Sequence, residues 1–448
     1  KICLYLGLFW TRQPWRMFFY PTLEKGRVMK MAMVWYEIKK TLLRPSCRIA
    51  MALLLALCIY VCYQEVYGDN GVAWLTETGE KIKGPAAARE MRNAQEEWSG
   101  TVDRPMLENA LKLLKQYEAE EKDHPEDVDY RFRYLQPLWE IRNLLNLSGK
   151  DYYEWLPHDF YIAETLTPET LPNVRDQRIK QLKNYLYDDT NSAASYFSQQ
   201  EKEYLLNCYE NMDSDVRMGY AQGWEHAFDA GYYVIFYGSI LMAFLVSGIF
   251  ANEFRWKTDA VYFSTENSRK KGVIAKLAAG FLFTTIVYWG FMLLLNLLIL
   301  SMLGFDGGGL SILAYPMKNW KSIYNLTFQQ RNLLALLDGF LIWLFFIAVA
   351  MLVSAATRSA GLAVIVPAML ILIPSFLDAN GITKESSFLM GFFPDKMARA
   401  YVGNFPYILG TLFGKVVPML YIQRILYIFL VVMLTLVSWQ AFRSKQVC

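Results

Sequence analysis

Residues 251–276 read ANEFRWKTDAVYFSTENSRKKGVIAK and lie between two of the most apolar runs in a chain of 448 residues. The run before it, 232–251, is YYVIFYGSILMAFLVSGIFA, and the run after it extends over 273–303. Each is long enough to cross the roughly 30 Å of hydrocarbon in a bilayer. A short turn would join two such segments. Instead a polar stretch intervenes, with acids at Glu253 and Asp259, aromatics at Trp256 and Phe263, and a basic cluster at Arg269, Lys270 and Lys271.

Further apolar runs occur at 49–66 (IAMALLLALCIYVCYQEV), 339–356, 360–377 and 425–442. With the two above they predict six transmembrane helices, so both termini lie on one side. Hydrophobic residues make up 54% of the chain and charged residues only 19%, which is apolar-rich for a water-soluble protein. Charge is unevenly spread: residues 65–231 hold 18 Lys and Arg against 32 Asp and Glu, and the remainder holds 27 basic against 10 acidic residues. An acidic block inside a basic, apolar chain is the pattern of a membrane protein with one large extracytoplasmic domain. The basic residues sit beside apolar runs, which argues against nucleic acid as a partner and for membrane lipid.

The distribution of Lys and Arg sets the orientation. Lys39, Lys40, Arg44 and Arg48 precede the first span. Arg255, Lys257, Arg269, Lys270 and Lys271 follow the second, Arg358 separates the fourth from the fifth, and Arg443 and Lys445 follow the sixth. These positions are expected in the cytoplasm, which puts 65–231, 304–338 and 378–424 outside the cell. The acidic block reads as mainly helical. In 103–122, Asp103 is a plausible cap, Pro105 falls in the first turn and apolar residues follow at helical spacing; 127–146 and 192–212 behave similarly. Only Cys208 of six cysteines lies in the block, so no internal disulfide is expected there. Cys58 and Cys62, four apart on an apolar helix, read as packing residues. Residues 1–28 form a basic, aromatic leader without the apolar core of a signal peptide, and translation is expected to start at Met29 or a nearby methionine.

Groups for catalysis are not apparent. His124, His158 and His226 are scattered singly, and no membrane helix is expected to carry a carboxylate pair. GTLFGKVV (410–417) has the wrong spacing for a phosphate-binding loop, with Val416 where a hydroxyl would be needed. FDGGGL (305–310) reads as a turn. Polar groups within the spans remain as candidate cavity or gate residues. Asp338 reads as an interfacial acid at the outer edge of the fourth span. Asn296 suits helix packing, or the lining of a cavity. Pro367 and Pro374 are expected to kink the fifth span.

In the opening stretch, Trp256, Ala260, Val261 and Phe263 recur at spacings compatible with one face of a short helix, and STENS (264–268) breaks it. Such a helix either rests in the lipid interface or docks on a cytoplasmic partner. The order of features resembles permease subunits of type-2 ATP-binding-cassette exporters: Glu253 after the second span, TDAVYFST (258–265), then Arg269, Gly272 and Lys276 opening the third. MVWYEIKKTLLRPS (33–46), with Trp35, Lys39, Lys40 and Arg44, resembles the connecting helix before the first span. ATRSAG (356–361), with Arg358, resembles a second cytoplasmic contact, and the segment 378–424, with GFFPDKMARAYVGN (391–404), resembles external re-entrant elements. The resemblance covers 29–64 and 232–442. The 65–231 insertion departs from the usual short loops, although a subset from Gram-positive bacteria carries such insertions.

The resemblance implies an all-α membrane protein with a connecting helix and first span in 29–64, an extracellular helical domain in 65–231 and a five-span core in 232–448. It implies a coupling helix at 252–272, where Glu253, Arg255, Trp256, Lys257, Asp259, Arg269, Lys270, Lys271, Gly272, Lys276 and Arg358 would meet a separate cytoplasmic ATPase. That subunit would carry the ATP and Mg; no cofactor and no metal are expected on this chain, which is not itself an enzyme. A second permease copy or a sister subunit would complete a path for an amphipathic substrate such as a peptide, toxin or lipid-like compound. The alternative is a non-transport sensor or scaffold whose extracellular domain binds a ligand.

Overall fold

A computed structural model describes residues 25–124, 127, 129–150, 161–188, 195–212, 215–264, 268–376, 384–398, 400–401 and 407–444. Most of the expected leader, the centre of the 264–268 break and parts of the 378–424 segment lie outside these residues. The chain is mostly helical, and five helical stretches are long and apolar enough to cross a membrane. The first is helix α2 (Pro45–Tyr67), preceded by α1 (Lys25–Leu42). In the domain that follows, the main helices are α3 (Pro85–Glu96), α4 (Arg104–Glu121), α5 (Trp139–Ser148), α6 (Val174–Tyr187) and α7 (Gln199–Glu210). The second stretch is α8 (Gln222–Val246) with α9 (Gly248–Arg255). A short α10 (Asp259–Ser264) leads to the third, α11 (Val273–Leu303), and the fourth is α12 (Phe328–Thr357). A shorter apolar helix, α13 (Leu362–Ser375), precedes the fifth stretch, α14 (Met419–Arg443). The 14 residues of α13 rise only about 21 Å.

Sequence explains how the bundle assembles. Pro45 cannot continue α1 but suits the first turn of α2, where its missing N–H costs nothing. One face of α2 buries Cys47, Ala50, Leu54, Cys58, Val61, Cys62 and Val66, spaced by three or four, against the bundle. The opposite face leaves Ile49, Leu53, Ile59 and Tyr63 exposed, as do Ile286, Leu293 and Leu297 on α11 and Ile425, Phe429 and Val432 on α14. A continuous apolar exterior of this extent is unsustainable in water and normal in hydrocarbon. The chain is a multi-pass membrane protein.

Helix α8 is the hub, packing on α2, α11 and α12. Gly238 lets Trp343 of α12 approach so closely that a Cβ there would lie 2.5 Å from the indole ring. The same indole donates to the Ile235 carbonyl at 3.0 Å. At the joint between α8 and α9, Ser354 donates to the Ser247 carbonyl and accepts from the Ala251 N–H, so both freed backbone groups are satisfied. Helices α12 and α14 run parallel: Asp338 meets Arg424, and Phe345 meets Tyr427. At the far end Phe254 is shared by Arg358 and Phe442. Two parallel neighbours require the chain to return between them, and α13, packed on α8 and α12, begins that return.

The acidic block folds against one end of this bundle. Asp103 caps α4 by accepting from the Met106 N–H, and Ser198 forms a capping box with Glu201 at the start of α7. The expected helix at 127–146 is broken: Tyr130–Leu135 gives way to a 3-10 turn at Gln136–Leu138 before α5 begins. Pro137 supplies no N–H for a continuous ladder. Leu107, Leu111, Leu114, Leu138 and Leu144 share a core with Ile312, Tyr315 and Trp320, which belong to the connection between α11 and α12, and with Phe328, the first residue of α12. A second core joins Leu182, Leu186, Leu205 and Tyr209 to Ile323, Tyr407 and Leu409. Strands β1 (Ala73–Leu75) and β2 (Lys81–Lys83), β3 (Gly100–Thr101) and β4 (Arg217–Met218), and β5 (Leu409–Leu412) and β6 (Lys415–Pro418) form three short antiparallel pairs. The GTLFGKVV segment is thus a hairpin, turning at Phe413 and Gly414 with φ of 50° and 77°.

Candidate functional site

The segment 252–276 is tied into the bundle at the end opposite the domain. Helix α8 and its continuation α9 deliver Glu253, α11 delivers Lys276, and α1 crosses both with Glu37 and Lys40. Lys276 is fully buried and donates to Glu253 at 2.8 Å and to both Glu37 oxygens at 3.0 and 3.1 Å. Lys40 pairs with the same Glu253 oxygen. Thr258 donates to the other Glu253 oxygen at 2.8 Å. Two acids and two cations alternate, so the set is neutral, and buried charges persist only when paired in this way.

An aromatic seat lies beside this ladder. Phe442, near the end of α14, packs against Phe250, Phe254, Tyr262 and Phe263 with ring centroids 4.6–5.8 Å apart. Lys276 lies 5.3 Å from the Tyr262 ring. Burial, with Glu37 and Glu253 close by, pushes the Tyr262 hydroxyl well above its ordinary range, so it stays neutral. Gly272 is required by this packing: a Cβ there would lie 2.4 Å from the Tyr262 oxygen. Arg269 stacks over Phe263 and Arg358 over Phe254, which brings the turn between α12 and α13 to the same junction. Arg358 adopts left-handed φ, as does Lys257 at the end of α9.

The junction therefore gathers Glu253, Lys276, Gly272, Arg269, Arg358, Lys40 and Trp256, whose ring lies 5.6 Å from the Lys40 ammonium. Arg44 is buried beside Glu37 and Glu253. Trp35, Lys39, Arg255, Lys257, Lys270 and Lys271 are exposed, and Asp259 is half-buried. The expected single apolar face is corrected. Trp256 ends α9, Val261 is 71% exposed, and Phe263 with Tyr262 makes the anchor instead. The pattern missed Tyr262 because it falls between Val261 and Phe263, off the spacing of 256, 260 and 263, and it missed Glu37 because the partner lies 239 positions away. A clue existed: a lysine at the mouth of an apolar helix requires a counter-charge.

Four further polar clusters lie toward the domain end. Asp338 lies well inside a helix rather than at its start. Helix α12 starts at Phe328, about three turns earlier than the apolar run suggests, and Asp338, 4% exposed, takes both arms of Arg424 at 2.7 and 2.9 Å. Tyr401 donates to the same carboxylate. Asn296 accepts from Asn332 at 2.7 Å, linking α11 to α12. Pro367 and Pro374 are both buried within α13. Helix α8 likewise begins before the apolar run, and so carries Glu225 and Asp229 one turn apart, contrary to the expectation of no paired acids. Glu225 meets fully buried Arg331, and Lys318 bridges Glu225 and Asp229 at 3.1 and 2.7 Å. His226 is not alone either, since its Nδ1 lies 2.8 Å from Glu65. Among the described residues no group of three or more His, Cys, Asp or Glu is placed to hold a metal ion.

The chain matches no protein-family model and no curated protein.

Proposed function

We propose that this chain is the permease subunit of an ATP-binding-cassette exporter, moving an amphipathic peptide, toxin or lipid-like compound out of the cell under the power of a separate cytoplasmic ATPase. The junction around 252–276 carries the proposal. It joins α1, α9, α10, α11 and the ends of α12 and α14 through an ionic ladder and one aromatic seat, so a push there is transmitted to helices that run the length of the bundle. Its outer surface presents Arg255, Lys257, Arg269, Lys270 and Lys271 with Trp256 and Val261, a basic and apolar face suited to a partner's groove. The parallel run of α12 and α14, with the shorter apolar α13 between them, supports a reading with six crossings. The bias of Lys and Arg supports a cytoplasmic junction and an extracellular domain. A second copy or a sister permease completes the path, and the switch between inward and outward states is a rocking of these coupled helices.

Co-expression with ABC ATPase subunits from the same genome, any encoded by a neighbouring gene first, provides the test. The ATPase is expected to co-purify with the chain, and Arg269→Glu with Lys270→Glu is expected to lower the recovered ATPase roughly tenfold. Both residues are exposed, so the fold should survive the change. Undiminished co-purification and undiminished substrate-stimulated hydrolysis in that variant would defeat the docking role.

A further inference from the structure

A cavity of about 580 Å³ opens at the domain end of the bundle, remote from the junction. It lies between the last turn of α2, the first turns of α8 and the Pro316–Asn319 turn. Its walls include Glu65, His226, Asp229, Tyr232, Tyr233 and Lys318. His226, Asp229 and Tyr233 fall on successive turns of one helix face, with Phe228 and Tyr232 on the adjoining strip. The volume suits a small organic ligand.

Charge decides which kind. Glu65, Glu225 and Asp229 are three carboxylates, and the permanent cations among them are Lys318 and Arg331. Glu140, on the domain side of Glu225, is pushed up to about 8 by burial and so is mainly neutral at pH 7. One negative charge is therefore in excess whenever His226 is neutral. Burial alone would lower the Lys318 ammonium, but the Glu225 and Asp229 carboxylates outweigh it and push it up, so this cation does not relax the imbalance by losing its proton. Phe228 already faces the Arg331 guanidinium at 4.1 Å, which shows the aromatic side of this helix in contact with a cation. Carboxylates beside aromatic rings are the usual recognition chemistry for ammonium and guanidinium groups.

We propose that this cavity binds an organic cation, a substituted ammonium or guanidinium group held by the Glu65 and Asp229 carboxylates against the Tyr232 and Tyr233 rings. The site is independent of the ATPase junction, and its test uses the permease chain alone, so failure of one leaves the other standing.

The purified full chain in lipid nanodiscs is titrated calorimetrically with benzyltrimethylammonium at pH 8. Saturable binding is expected, weakened at least tenfold by Asp229→Asn and by Glu65→Gln. Lys318→Gln removes the internal competitor for Asp229 and is expected to tighten binding. Tyr233 is 40% exposed, so Tyr233→Ala tests the ring without emptying a core and is expected to weaken binding several-fold. Neither benzenesulfonate nor the uncharged isostere neopentylbenzene should compete. The proposal is overturned by absence of saturable binding, or by affinity unchanged in well-folded Asp229→Asn and Tyr233→Ala. Preference for benzenesulfonate, which would make the site an anion site built on Lys318, overturns it as well.

Discussion

Lys276 concentrates the energetics of the junction in one ammonium group. It is fully buried and contacts two carboxylates from different helices. Replacing it with methionine would leave Glu253 with Lys40 but strip Glu37 of its direct ammonium partner, a loss of about 3–5 kcal/mol by the measure of other broken buried pairs. The companion change Glu37→Gln removes that stranded charge and leaves Glu253 with Lys40. Lys276→Met is therefore expected to melt well below the parent in detergent, and the Glu37→Gln, Lys276→Met double variant to recover more than half of the deficit. A Lys276→Met protein that melts with the parent would show that the ladder contributes nothing net. Asp338 and Glu225 follow the same logic at the other end, each held by a buried or half-buried arginine on a different helix.

Among the elements, α10 and the β5–β6 hairpin are the two whose local sequence is at odds with their setting. Helix α10 has only six residues and would not persist alone; it exists because Tyr262 and Phe263 lodge against Phe442. The hairpin turns at Phe413-Gly414 with both φ values positive, the backbone of a type I′ turn. Glycine tolerates this region, whereas phenylalanine pays about 1 kcal/mol for it. Phe413 is 97% exposed and packs on nothing that would offset the strain. Phe413→Asn, which supplies the preferred Asn-Gly pair, is expected to stabilise the protein by about 1 kcal/mol in thermal or denaturant unfolding. Destabilisation would mean that the exposed ring has a partner in the membrane-embedded protein.

At the scale of the whole molecule, the acidic block is not an appendage on a linker. Its cores include Tyr315, Trp320 and Tyr407 from the connections between the later helices and Phe328 at the start of α12, so the block and the end of the bundle form one unit. The junction and the block occupy opposite ends, which makes sidedness directly measurable. With the native cysteines replaced, a cysteine at exposed Lys112 is expected to react with a membrane-impermeant maleimide in intact cells. One at exposed Ala260 is expected to react only after permeabilisation. The reverse pattern would invert the orientation and defeat the proposed docking of a cytoplasmic ATPase at the junction.

The apolar runs, the basic clusters and the acidic block were all legible in the chain, because hydrocarbon thickness and charge bias act on composition over twenty-residue windows. The cap at Asp103 was legible because capping is local. The helix starts at Gln222 and Phe328 were not, since Glu225, Asp229 and Arg331 look like loop residues until their partners are known. Nor was the role of Asp338, whose partner Arg424 lies 86 residues away. Composition by itself determined that this protein belongs in a membrane, for the solvent selects apolar runs of that length. Tertiary structure alone decided which charges meet, because the cost of burying an ion is met only by a particular partner brought from elsewhere in the chain.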